Sequence, residues 1–333
     1  MVSVTNLNYT FPGELTNEIL FEPLIKNAKI SDYAQIVKGV KFKKQLHISA
    51  HKSKLVKKYS ACGTRTLTNP TGVDLYNREL QTYEAEMYDT QCKDTFEGTF
   101  FGESIPAGIE ANELGSMLRN YCVEVLTPGM MNDIVRQSWG ASLASASTDY
   151  DIFDGWFTLF INNPIDIPLV DNIAALNQTA GSRTIDYLRN LHEGADIILK
   201  QTSNSDKVIL MSGNHYENLM TTYEDSALTG GGLTSRVENG VTKLMFRGIE
   251  IIPMYEWDSM FIDPDFPQVA TMNNAIVYTA KDNLAFAVDA ERNFQSVGVW
   301  YDRNERLVKF ESQFKFGVNY VIPGLTSWSY GLV

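Results

Sequence analysis

Four histidines, three cysteines and a few close-set carboxylates are the residues with the greatest chemical reach, and their spacing limits what they can do. A metal site needs ligands converging at short spacing, and only His47 and His51 lie near each other. They would share a face if helical, but their lysine-rich surroundings favour a strand, where no third ligand joins them. His215, just inside a helix start, is expected to be a surface or cap residue. Cys62, Cys92 and Cys122 are odd in number and form no Cys-x-x-Cys pair, so reduced thiols are expected. Thr229-Gly230-Gly231-Gly232-Leu233 lacks both the lysine of a phosphate loop and the strand-to-helix setting of a dinucleotide fingerprint, and reads as a loop. Ser212-Gly213-Asn214-His215 is no nucleophile elbow. Asp263-Pro264-Asp265 pairs two carboxylates, but Pro264 and Pro267 suggest an extended loop, where a structural or solvated role is expected. No catalytic, cofactor-binding or metal residue is therefore assigned, no cofactor is implied, and the expectation is a chain that is not an enzyme.

The strongest pattern is electrostatic. Between Lys26 and Arg65 eleven Lys and Arg residues stand against one acid, Asp32, a local net charge of +10. The remainder carries 17 basic against 39 acidic residues, net −22. Opposite patches that cannot meet within one compact domain are suited to meeting on the next copy, because complementary potentials set register and penalise wrong partners. Two further readings stay open: a solvated lysine-rich arm, and a nucleic-acid patch. The overall charge of −12 opposes a protein devoted to gripping nucleic acid, since most of its surface would repel phosphate. A wall can nevertheless enclose a polyanion by geometry.

With 333 residues at 44% hydrophobic, the chain can bury a large core in more than one lobe. No stretch approaches the roughly 18 uninterrupted apolar residues of a spanning helix. Met1-Val-Ser-Val-Thr-Asn-Leu-Asn lacks the basic start and apolar run of a signal peptide, so synthesis inside a cell without membrane association is expected.

Periodicity indicates the elements that carry these groups. Leu15, Ile19, Leu20, Leu24 and Ile25 suit a short helix begun near Thr16 within an arm. From Ile36 to Leu67, Val40, Phe42, Leu46, Ile48, Leu55 and Val56 interleave with lysines, which suits strands with a charged face and hence a projecting hairpin, closed by Asn69-Pro70-Thr71-Gly72. Leu114, Leu118, Tyr121, Cys122 and Val125 recur along one helical face. Thr127-Pro128 then caps and opens a further helical stretch through Met131, Ile134, Val135 and Trp139. After an Ala- and Ser-rich connection, Ile185, Leu188, Leu191, Ala195 and Ile198 predict one amphipathic helix. Val208 to Met211 predicts a strand, and Ser212 the cap of the helix bearing Tyr216, Leu219, Met220 and Tyr223. Val241–Phe246 and Ile249–Met254 read as strands about Arg247-Gly248. Val297–Tyr301 faces Leu307–Phe310 across a charged tip.

Several motifs in this order carry a resemblance. They are Gln137-Ser138-Trp139-Gly140; Phe153-Asp154-Gly155-Trp156-Phe157; Lys207 to Ser212 before a Tyr216-bearing helix; Phe246-Arg247-Gly248-Ile249-Glu250-Ile251; and Lys281-Asp282-Asn283-Leu284 with Val288-Asp289. Val299-Trp300-Tyr301-Asp302, Val308-Lys309-Phe310 and Phe314-Lys315-Phe316-Gly317-Val318 complete the set. Together they resemble the major capsid proteins of tailed bacteriophages, with the HK-ninety-seven-like fold, over nearly the whole chain.

The resemblance implies an α+β fold: an N-terminal arm over 1–35, an extended loop over 36–75, a peripheral domain with a spine helix over 76–145, an axial domain over 146–290, a peripheral hairpin over 291–320 and a terminal strand over 321–333. It implies a structural protein forming pentamers and hexamers that close into an icosahedral shell around double-stranded DNA. Partners would be a separate scaffolding protein, a portal, DNA held by non-specific proximity, and optional decoration proteins. Synthesis would be in the host bacterial cytoplasm and the destination the virion. The inter-subunit contact candidates are Lys38, Lys41, Lys43, Lys44, Lys52, Lys54, Lys57 and Lys58, with Asp302, Arg303, Asn304 and Glu305 at the hairpin tip. An encapsulin-like compartment shares the fold and stays an alternative, as do an enzyme using the 151–290 lobe and a DNA-binding module over Lys38 to Arg65.

Overall fold

Six consecutive buried residues, Lys207 to Ser212, mark the centre of the fold. The computed structural model describes residues 8–10, 30–51, 73–92, 127–145, 150–174, 181–224, 233–238, 241–270, 272–289, 297–302, 305 and 307–332. The expected helices near 16–25 and 114–125, the turn at 69–72 and the glycine loop at 230–232 lie outside these residues.

In chain order the first elements are β1 (Asn8–Thr10), α1 (Ile30–Tyr33), β2 (Gln35–Lys38), β3 (Lys43–His51), β4 (Val73–Gln81) and β5 (Tyr83–Cys92). Next come α2 (Thr127–Gly140), α3 (Trp156–Asn162), β6 (Leu169–Ala174), α4 (Gly181–Gly194), α5 (Ile197–Gln201), β7 (Lys207–Ser212) and α6 (Gly213–Glu224). The rest is β8 (Leu233–Glu238), β9 (Val241–Phe246), β10 (Ile249–Met254), α7 (Tyr255–Phe261), β11 (Met272–Ala280), β12 (Leu284–Val288), β13 (Val297–Asp302), β14 (Leu307–Tyr320) and β15 (Thr326–Leu332).

One sheet has seven strands in the order β6-β15-β11-β7-β10-β9-β8. Its central strands are covered on both faces, which is why they read as unbroken apolar runs rather than alternating ones. On β7, Val208 and Leu210 enter one core while Ile209 and Met211 enter another with Leu188 and Leu219; on β11, Ala275 and Val277 alternate likewise with Ile276 and Tyr278. Between β9 and β10, Arg247 and Gly248 both take positive φ, 51° and 79°. That is the twist a two-residue hairpin turn needs, so the expected pair of strands forms.

The second sheet runs β1-β13-β14-β12-β2. Strand β14 is its spine. Leu307 to Phe316 pair with β5 along one edge, while the other edge pairs first with β13 and then with β12. At Gly317 a β-carbon would collide with the Gln81 carbonyl, so only glycine permits this approach of the backbones.

The two sheets share a core of aromatic residues. The Trp139 ring lies 4.7 Å from Trp156, 4.7 Å from Trp257 and 5.0 Å from Phe157, joining α2, α3 and α7. Tyr33 of α1 packs 6.0 Å from Trp139. The Gly155 N–H donates to Ala141 O at 2.8 Å, and a β-carbon there would stand 2.7 Å from the Trp139 carbonyl atoms. Arg136 pairs with Asp263 and stacks on Phe266, fastening α2 to the loop after α7. Trp139-Gly140 and Phe153 to Phe157, two of the motifs behind the resemblance, therefore meet in one packed junction.

Three local expectations need correction. The helix predicted through Ile198 breaks after Gly194, and Asp196 caps a new one by accepting from Ile198 N–H at 2.9 Å, leaving Ile198 exposed. Ser212 does not cap α6. Its hydroxyl bonds Asn274 at 3.3 Å, and Asp258 supplies the cap instead, accepting from Asn214 N–H at 3.1 Å. His215 is buried rather than at the surface, only 2% exposed, with neither ring nitrogen bonded.

Candidate inter-subunit surface

Strands β3 and β4 form a two-stranded ribbon belonging to neither large sheet. Its register runs from Lys43 opposite Gln81 to His51 opposite Val73, nine rungs and about 30 Å at the usual rise. Residues 35–38 lie in the second sheet as β2, and the return leg extends past residue 75 to Gln81. A two-stranded ribbon alone is marginal in water, so its root must be fastened. Leu80 is fully buried with Val37, Val40, Ala285, Ala287 and Val321. Thr82 donates its N–H to Phe42 O at 3.0 Å and its hydroxyl to Val40 O at 3.0 Å, and Asn319 donates to Glu79 O at 2.7 Å. Arg78 lies over the Tyr320 ring at 4.6 Å and pairs with Asp166 at 3.2 Å.

Around this root Lys38, Lys41, Lys43 and Lys44 are exposed. Lys43 is offset within its own chain by Glu79 at 2.7 Å, an exposed pair contributing at most about 1 kcal/mol. Lys38 and Lys44 have no ion-pair partner among the described residues. Lys52, Lys54, Lys57 and Lys58 lie outside the described residues. So do Arg303 and Asn304; Asp302 ends β13 opposite Leu307, and Glu305 is bonded by Lys309 at 2.6 Å. The ribbon root and the β13–β14 tip both adjoin β14, the root through β4 and the tip through β13.

Sequence reading missed three features. Phe42, counted only among the apolar residues of the lysine-interleaved strands, faces outward at 63% exposure, with Lys43 Nζ 5.7 Å from its ring centre. Arg78 and Tyr320 form the clasp at the root. The third is the outer face of β5, where Glu84, Glu86 and Tyr88 alternate with inward Tyr83, Ala85 and Met87. The partial alternation of Arg78 to Tyr88 was the available signal. Lys315 bonds Glu84 at 2.7 Å, and this hydrogen bond and charge hold the carboxyl below its ordinary range.

His47 and His51 sit four residues apart on β3, about 13 Å along a strand. No group of three His, Cys, Asp or Glu is placed to hold a metal, and no helix is long and apolar enough to cross a membrane, again among the described residues.

No protein-family model matches this sequence, and no curated protein matches it. Solved structures do. A chain of the satellite phage P4 procapsid, in a structure that includes the size determination (Sid) protein, aligns at TM-score 0.57 with 10% identity, covering 93% of this chain and 90% of that one. The cyanophage A-1(L) capsid aligns at TM-score 0.52 with 14% identity, covering 99% of each chain. The capsid of Myoviridae phage XM1 aligns at TM-score 0.50 with 8% identity, covering 100% of this chain and 96% of that one. An α+β chain with an aromatic junction between two sheets and a basic ribbon at its margin thus has the HK-ninety-seven-like fold of tailed-phage capsid proteins.

Proposed function

We propose that this chain is a major capsid protein, a structural subunit that assembles into pentamers and hexamers and closes an icosahedral head around double-stranded DNA. The observation that carries the reading is the ribbon. Four lysines of the +10 segment, Lys38, Lys41, Lys43 and Lys44, stand exposed around a root fastened in the core, in a chain that is otherwise strongly acidic. The fold shared end to end with phage capsid chains supports the same reading. On it, the ribbon is the extended loop, the layer around β14 the peripheral domain and the seven-stranded sheet the axial domain.

The exposed lysines of the root and the β13–β14 tip then lie between copies, in heterologous contacts that close only when rotation permits. Interfaces of this obligate kind bury more than about 2,000 Å². A separate scaffolding protein and a portal belong to the reading, with DNA held by enclosure and decoration proteins as optional additions.

Electron microscopy of the expressed protein, with and without co-expressed scaffolding protein, tests it. Closed icosahedral particles protecting DNA from nuclease are expected. Particles holding a packaged protein would indicate an encapsulin-like compartment, and a persistent monomer at all salt concentrations would end the proposal.

A further inference from the structure

The ribbon root presents an aromatic residue among cations, Lys41-Phe42-Lys43-Lys44, with Phe42 mostly exposed. The outer face of β5 presents the inverse. Tyr88 is 55% exposed and stands opposite Glu311, while Glu86 stands opposite Gln313. Glu84 is neutralised by Lys315, so among the described residues the carboxylates of this face without a cation partner are Glu86 and Glu311, the latter accepting from Gln313 Nε2 at 3.3 Å, and both flank Tyr88. Lys44 and Glu86 each lack an ion-pair partner in their own chain among the described residues. Among the described residues strand β5 is hydrogen-bonded only to β14, which makes it an edge strand of that layer.

Resting on the capsid reading, we infer that the outward face of β5, Glu84 to Tyr88 with Glu311 of β14, is the acceptor surface for residues 41–44 of a second copy of this chain. Phe42 would pack against Tyr88, and Lys44 would meet Glu86. Aromatic pairs contribute beyond their buried area, and opposite potentials fix the register. Phe42 and Tyr88 are then the anchors, because interface energy concentrates in a few buried aromatic residues rather than across the contact area. Donor and acceptor are different surfaces, so the contact is head-to-tail and generates a ring when its rotation closes.

A charge swap tests the inference. Lys44→Glu and Glu86→Lys are each expected to lower particle yield at least about tenfold, from like charges brought together, and the double variant to restore it. Both positions are exposed, and unchanged circular dichroism and melting of the isolated subunits separate assembly from folding. Particles from wild type and from both single variants alike, or single losses that the double variant fails to rescue, would overturn the acceptor assignment while leaving the capsid reading intact. A wild type that forms no particles under any condition removes both. As a second measurement, Tyr88→Ala should weaken assembly at every salt concentration, whereas the charge variants should converge on wild type in high salt, where exposed charges are screened. Equal salt dependence in all three would remove the aromatic anchor.

Discussion

The junction around Trp139 and the ribbon rooted at Leu80 are built on opposite terms. The first buries five aromatic residues from four segments, with ring centres 4.7–6.2 Å apart and no access for solvent. The second sets four lysines and a phenylalanine in water, fixed by one buried leucine and a few hydrogen bonds. Substitution in the junction acts on the subunit itself. Substitution on the ribbon should leave the subunit folded and act between subunits.

The contrast can be broken first at Trp139. Trp139→Ala empties the centre of the junction and should cost about 3–5 kcal/mol, read by denaturant unfolding of the isolated subunit. A loss below about 1 kcal/mol would mean that the junction does not hold the sheets together.

The opposite arm is Lys41→Glu with Lys43→Glu and Lys44→Glu. Particle yield should fall about a hundredfold, equivalent to about 3 kcal/mol of association, with the subunit melting temperature within a few degrees of wild type. Normal shells from this triple variant would remove the role given to the ribbon.

Acid sharpens the comparison next, because His215 is a buried titratable group of the folded subunit. Burial holds His215 down at about 4, below the ordinary histidine value. Between that value and about 6.5 the unfolded chain binds the proton and the folded chain does not. Stability is therefore full above pH 6.5 and falls toward pH 4, by about 2–3 kcal/mol. The slope should flatten in His215→Leu, measured by urea unfolding across this range; an identical slope would show that other groups set the acid response.

The smallest effect concerns the cap supplied from a distance. Asp258→Ala leaves the first N–H groups of α6 without their acceptor and should cost about 1 kcal/mol, while Asp258→Asn should cost less. Equal losses in the two variants would assign the effect to packing instead.

Much of this architecture could be read from local pattern. The runs at Val208–Met211 and Ala275–Tyr278, the turn at Arg247-Gly248 and the Val297–Phe310 hairpin each follow from a signal within a dozen residues. Two of the three failures occurred where the deciding partner is remote. Ser212 looked like a cap because Asp258, 44 residues away from Asn214, is invisible to local reading. His215 looked exposed because nothing nearby reports the roof formed by α4, where Tyr187 packs 6.2 Å from it. The break at Asp196 was readable, since an aspartate before Ile197 is a cap signal that the apolar spacing outweighed. For the surface, the lysines were visible as composition, but the inverse character of β5 depends on which residues β14 turns outward.

Strand β14 also imposes an order in time. Its residues 307–316 pair with β5, more than 200 residues earlier in the sequence, so β5 leaves the ribosome long before its neighbour exists. At about 5–20 residues per second the wait is roughly ten to forty seconds. Nascent chains arrested before residue 307 should keep 83–92 open to protease. On the proposed capsid role, a growing polypeptide would lack the β14 half of its β5 docking strip until residues 307–316 are made, and unfinished products would be kept out of the shell without any dedicated quality check.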